Sequence, residues 1–238
     1  MKTVVYFYGI SEGGADARKA RPGIDGAGHV SGLEVGGLTA WYSEVDAGEY
    51  GESLRTRIED LDWLAQASVR HQQTVESISK QTAMIPAQFG VVFRSAGSLA
   101  EHVRERAEQS RDILHKISGA EEWGVKVFRK RGERQAVAAV SGRDYLQQKA
   151  ALRKSEAKGV SPEVQALAEE LAKVSADTAS IGKISGAQPD LEWQASFLVR
   201  KKDKAAWDAV LRRYSKALAD SKSIECTGPW PPYSFVGK

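Results

Sequence analysis

The sequence predicts an α+β protein of two domains: an N-terminal ferredoxin-like sheet with helices over residues 1–120, and a C-terminal α+β domain over 121–238 that ends in an extended proline-rich tail. Three observations predict it. Short runs of β-branched and aromatic residues alternate with longer runs at helical spacing, and this happens in both halves of the chain. Hydrophobic residues make up 42% and charged residues 27% of the 238, the balance of an ordinary globular protein able to bury a core. The chain also closes on Gly228-Pro229-Trp230-Pro231-Pro232-Tyr233-Ser234-Phe235-Val236, where three prolines fix φ and remove three backbone donors.

In the first half, residues 3–10 are a strand by composition, and the glycine-rich stretch 11–36 reads as a long loop with a short extended piece at His29 to Leu33. Leu38 to Val45 is the next strand. Leu54, Ile58, Leu61, Leu64, Ala65, Val69, Val75 and Ile78 recur at helical spacing and predict one amphipathic helix over 53–80, with these residues on its buried face. Pro86 ends that run, Phe89 to Phe93 is a short buried strand, and Leu99, Val103, Ala107, Ile113, Leu114 and Ile117 mark a second helix that Gly119 closes. This order suggests a sheet with helices on one face, ferredoxin-like in outline.

The second half repeats the pattern. Residues 122–129 alternate as a half-buried strand, and a helical tract from Arg143 to about Ala176 is divided by Ser161-Pro162, a cap followed by a first-turn proline. Residues 177–190 read as loop, and Trp193, Ala195, Phe197 and Val199 form the clearest alternating strand. Asp203 can cap a helix with Ala206, Trp207, Val210, Leu211, Tyr214 and Leu218 on its apolar face, and a last strand near 223–227 leads into the tail. The tail, residues 228–238, is stiff and carries Trp230, Tyr233 and Phe235, which are costly to leave in water; it reads as a docking strap, packed on its own chain or on a partner.

The pattern supplies no catalytic residues, no cofactor site and no metal ligands, so the expected protein is not an enzyme. His71 and His102 fall on polar helix faces and read as solvated, and no histidine has a second ligand at i+4. Cys226, the single cysteine, reads as a small buried residue. There is no phosphate-binding loop, and Gly26-Ala27-Gly28 lacks the third glycine of a dinucleotide fingerprint. Net charge is only +3 with acids and bases interleaved, so no nucleic-acid partner is expected; the basic turns Arg129 to Arg134 and Arg200 to Lys204 leave a nucleic-acid-binding or regulatory module as the alternative. No stretch is long and apolar enough for a bilayer, and the N-terminus turns polar too early for a secretory signal, which makes the cytoplasm the expected location and a membrane an unexpected partner.

The tail string resembles the C-terminal end of the GvpL/GvpF family of gas vesicle proteins. Further similarities follow in order: Val4 to Ile10 to the family's opening strand, Ile85 to Phe93 to its central proline-to-phenylalanine segment, Glu122 to Val127 to its second-half strand, and Gly142 to Leu146 to the helix start after it. The resemblance implies two α+β domains with a ferredoxin-like N-terminal one. It also implies an accessory or minor structural protein, associated with gas vesicles, that binds the small, very hydrophobic shell protein GvpA and other accessory proteins, and assists nucleation or prevents aggregation. If GvpA binds the N-terminal domain through apolar contacts, the protein-interaction candidates are Tyr6, Tyr8 and Phe89, which alternate outward or sit at breaks, together with Trp230, Tyr233 and Phe235 of the tail.

Overall fold

A computed structural model describes residues 2–13, 15–51, 53–130, 159–180, 188 and 190–237. The chain forms two compact units, one of residues 1–121 with 230–238 and the other of residues 122–229. The tail expected in the C-terminal domain therefore belongs to the N-terminal unit. The physical reason is burial: Phe235 is 8% exposed, and Tyr233 packs against the N-terminal core. The tail also does not stay extended after its prolines, because Tyr233–Val236 closes a helical turn.

The N-terminal unit is built on β1 (Thr3–Ser11), β2 (Ser31–Val35), β3 (Leu38–Asp46), β4 (Met84–Pro86) and β5 (Val92–Phe93), with sheet order β2-β3-β1-β4 and β5 also paired to β1. All the pairings are antiparallel. That strand order is the one a ferredoxin-like sheet has, yet the crossover helix between its first two strands is replaced by a loop with one 3-10 turn, Ala17–Lys19. Helices α1 (Ala47–Tyr50), α2 (Leu54–Arg57) and α3 (Leu61–Ser79) precede β4, and α4 (Ala96–Glu105) and α5 (Ala107–Ile117) follow β5. The single helix expected over 53–80 is two, because the Asp60 side chain accepts the N–H groups of Asp62 and Trp63, both at 3.1 Å, and starts α3 afresh. The second expected helix is likewise divided at Arg106, the residue between α4 and α5.

Helices cover both faces of this sheet, not one. In β1 consecutive residues from Val5 to Ser11 are buried, the mark of a strand packed on each side. Tyr6 meets His71 of α3 at 5.7 Å between ring centroids, while Phe7, pointing the other way, meets His102 of α4 at 6.4 Å and Phe93 at 5.7 Å. The pairing of β1 with β3 slips by one residue between Phe7 and Gly9, a bulge at which Gly9 holds φ +146°.

The second unit contains β6 (Ala120–Arg129, which begins in the first), α6 (Pro162–Lys173), β7 (Asp177–Ser180), β8 (Leu191–Arg200), α7 (Lys204–Ala217) and β9 (Lys222–Trp230), with sheet order β7-β8-β6-β9. Among the described residues these run strand, helix, two strands, helix, strand, a ferredoxin-like order in which α6 stands where the N-terminal unit has a loop. The core of the second unit joins Val125, Val127, Val164, Leu167, Leu171, Phe197, Val199 and Trp207. The expected loop at 177–190 contributes β7, paired to β8 from Asp177–Leu198 to Ser180–Ala195. The expected helix start at Gly142 to Leu146 and residues 131–134 lie outside the described residues.

Glu192, on β8, ties this unit together. Its side chain is fully enclosed and accepts from Arg129 Nε at 3.0 Å, from Lys222 Nζ and from the Ser161 N–H at 2.8 Å, so one carboxylate joins β6, β8, β9 and the start of α6. Burial pushes its carboxyl up, but the bonds from Lys222 and Ser161 outweigh that and hold it at about 2. Cys226, on the edge strand β9, is exposed and not buried as expected, since β9 turns that part of its length to solvent.

Candidate functional site

The most connected group of side chains lies between β1, α3, the segment around β4 and the tail. His71 is 3% exposed, against the expectation of a solvated imidazole. Its Nδ1 is 3.0 Å from Tyr6 Oη, and its Nε2 is 3.2 Å from the Ala87 carbonyl and 3.3 Å from Tyr233 Oη. A carbonyl only accepts, so Nε2 carries the proton and Tyr6 donates to Nδ1; Tyr6 Oη in turn accepts the Gly90 N–H at 3.0 Å. Burial lowers the His71 pKa to about 4, the Ala87 bond opposing it, so the ring is neutral at pH 7. Burial likewise raises the Tyr6 and Tyr233 phenols and pushes Tyr8 up to about 12, so all three keep their protons.

Because folding lowers this pKa from 6.5, the unfolded chain takes up the proton first as pH falls. The stabilising contribution is complete above about pH 6.5 and is lost progressively down to pH 4, a loss of roughly 3 kcal/mol at most. Melting temperatures taken between pH 7 and 4 are expected to fall more steeply for the wild-type protein than for His71→Phe. Parallel curves would contradict the assignment.

The glycine-rich loop is pinned onto the same cluster. Tyr8 Oη donates to Ser43 Oγ at 3.1 Å and accepts the Ile24 N–H at 2.8 Å, and the Ile24 carbonyl accepts from Arg70 Nε at 2.7 Å and Tyr50 Oη at 3.2 Å. Thr74 Oγ1 donates to the Pro22 carbonyl at 2.8 Å. A Cβ at Gly23 would lie 2.5 Å from Ser43 Oγ and 3.0 Å from Tyr8 Oη, so only glycine allows this approach.

Of the six sequence candidates for protein contact, Tyr6 and Tyr8 are 0% exposed and belong to the core. The bulged strand and α3 close over them, which removes them as a surface. Phe89 is half-buried, edge-on to Tyr6, Trp63 and His71 with centroids at 6.4, 6.4 and 5.8 Å. Tyr233 docks on the same core, Phe235 is buried at 8% exposed, and Trp230 is 45% exposed.

The buried face of α3 agrees with the expectation at Val75 and Ile78 but not in its first half: the buried residues are Ala67, His71, Thr74, Val75 and Ile78, and the polar His71 and Thr74 are buried because they hold the sheet and the loop. Leu61 is consequently 76% exposed and Val69 55%, with Ala65 between them and Ile58 at 38% just before the helix. Residues 61, 65 and 69 succeed one another at ~6 Å along one helix face and form an apolar stripe. The signal for it was the spacing 67, 71, 74, 75, 78, which a reading confined to apolar residues passes over.

Among the described residues no group of three or more His, Cys, Asp or Glu could hold a metal ion, and no helix is long and apolar enough to cross a membrane. The architecture is that of a two-sheet α+β protein whose densest polar network serves packing. Comparison with known proteins gives the class a family. The gas vesicle synthesis protein GvpL/GvpF model matches residues 4–237. Gas vesicle protein L of Streptomyces sp. (strain CB03234) is 30% identical over 222 residues, 86% of this chain and 82% of that protein. Gas vesicle protein F2 of Halobacterium salinarum is 26% identical over 234 residues, 98% and 91% of the two chains. In structure, the fold is similar to gas vesicle protein GvpF from Anabaena sp. PCC7120, with TM-score 0.70 at 17% identity over 99% of this chain and 97% of that one. GvpF from Microcystis aeruginosa gives the same TM-score and identity, over 99% of both chains. The chain belongs to the GvpL/GvpF family of gas vesicle proteins.

Proposed function

We propose that this protein acts in gas vesicle assembly by binding the shell protein GvpA, assisting nucleation or keeping the shell protein from aggregating before it is built in. The observation that carries this reading is the apolar stripe Ile58, Leu61, Ala65 and Val69, which with Trp230 holds the exposed large hydrophobic residues among the described ones. A helix face of that kind suits an apolar partner, and each large residue newly buried on it is worth about 1.5–3 kcal/mol. The alternative of a nucleic-acid partner loses one of its residues, since Arg129 is engaged with Glu192.

Full-length protein is expected to co-purify with GvpA and to retain it through a wash at raised salt, because apolar contacts are not screened. A Leu61→Asp/Val69→Asp double variant is expected to hold it at least about tenfold more weakly. Release of GvpA by salt alone, with the double variant binding normally, would place the contact on charged residues instead.

A further inference from the structure

The tail behaves as a ligand seated in a socket. The N–H groups of Tyr233 and Phe235 bond within the segment itself, to the carbonyls of Pro231 at 2.8 Å and Pro232 at 3.1 Å. The turn lies on β4, where Phe235 and the two prolines are buried and the Tyr233 hydroxyl reaches His71. The socket is made without the tail: Tyr6 bonds His71, His71 bonds the Ala87 carbonyl, and Tyr6 takes the Gly90 N–H, all between residues of the body. A segment that satisfies those two N–H groups internally can leave without stranding them, and a socket whose polar groups are paired with one another keeps those partners behind it. These are the conditions for recognising a peptide, with side chains supplying the contact.

We infer that this socket also accepts the Pro231-Pro232-Tyr233-Ser234-Phe235 segment of a second copy of the chain, so that exchanged tails pair two molecules. The occupant is fixed by what the socket already holds, and exchange substitutes identical contacts on each side. In one chain the tethered tail competes at an effective concentration on the order of millimolar, which keeps the site closed in dilute solution and opens it to exchange as the protein is concentrated.

The test uses the full chain carrying Tyr233→Ala/Phe235→Ala as receiver and a fluorescent peptide of residues 228–238 as probe. The receiver is expected to bind the peptide at least about tenfold more tightly than the wild-type chain does, and to melt at a higher temperature with it. If the receiver is unfolded alone, peptide-induced folding seen by circular dichroism is the same result, and Tyr233→Ala serves as the milder receiver. A folded receiver that ignores the peptide, or a wild-type chain that binds it equally well, overturns the socket. The second arm mixes the receiver with wild-type chain and follows sedimentation as concentration rises. Mixed dimers that vanish when both chains carry the double substitution support exchange. Peptide binding without mixed dimers overturns the second copy as occupant.

Discussion

Replacing Tyr233 and Phe235 with alanine is expected to lower the melting temperature by roughly 10 °C or more. Phe235 is 8% exposed, and Tyr233 packs on the core beside His71, so the two truncations forfeit about 3–6 kcal/mol of apolar burial together. The effect falls on the N-terminal unit even though the residues are the last of the chain, because they complete its core. Trp230→Ala, at a residue 45% exposed, is the comparison and is expected to change melting little. Thermal unfolding followed by circular dichroism checks both. Equal, small shifts in the two variants would mean that the tail is not part of the core.

Gly9→Ala is expected to be at least as damaging, about 3 kcal/mol or more. At φ +146° an L side chain is strained, and a Cβ there would overlap the Ile85 carbonyl and come within 2.6 Å of Met84 Cε. The overlap with Ile85 is with backbone, which cannot swing aside as a side chain can. Since β1 pairs with β3, β4 and β5, the loss is expected to disturb the whole N-terminal sheet and reduce the yield of folded protein. Normal yield and an unchanged denaturant midpoint would contradict the close approach.

The sequence made legible those features that rest on local periodicity. The strands near 3–10, 38–45, 122–129 and 193–199 were readable because β-branched and aromatic residues alternate there, and Ser161-Pro162 was readable as a helix start because proline suits only the first turn. Features that rest on long-range partners were not. His71 and Thr74 look like solvent residues along the helix, and only the Tyr6 hydroxyl and the Pro22 carbonyl, far away in sequence, make them interior. Turning α3 onto those partners is what exposes Leu61 and Val69, so one unseen pair of hydrogen-bonding residues moved both the core and the candidate surface. Tyr6 and Tyr8 were misplaced for a related reason: alternation marks an outward face only when one side of the sheet is open, and β1 is covered on both. The tail's stiffness was legible from its prolines, but its docking site was not, because composition does not say which unit a strap reaches.

The central functional claim is that the exposed face of α3 covers apolar surface of the shell protein before assembly. Light scattering of purified GvpA, released from denaturant into buffer with increasing amounts of this protein, tests it most directly. The account predicts that the wild-type protein suppresses scattering as the two approach equal concentration, and does so at raised salt as well. Leu61→Asp/Val69→Asp protein, folded by circular dichroism, is predicted to leave GvpA aggregating as it does alone. Equal suppression by the two proteins would contradict the account, because the apolar stripe would then have no part in holding the shell protein.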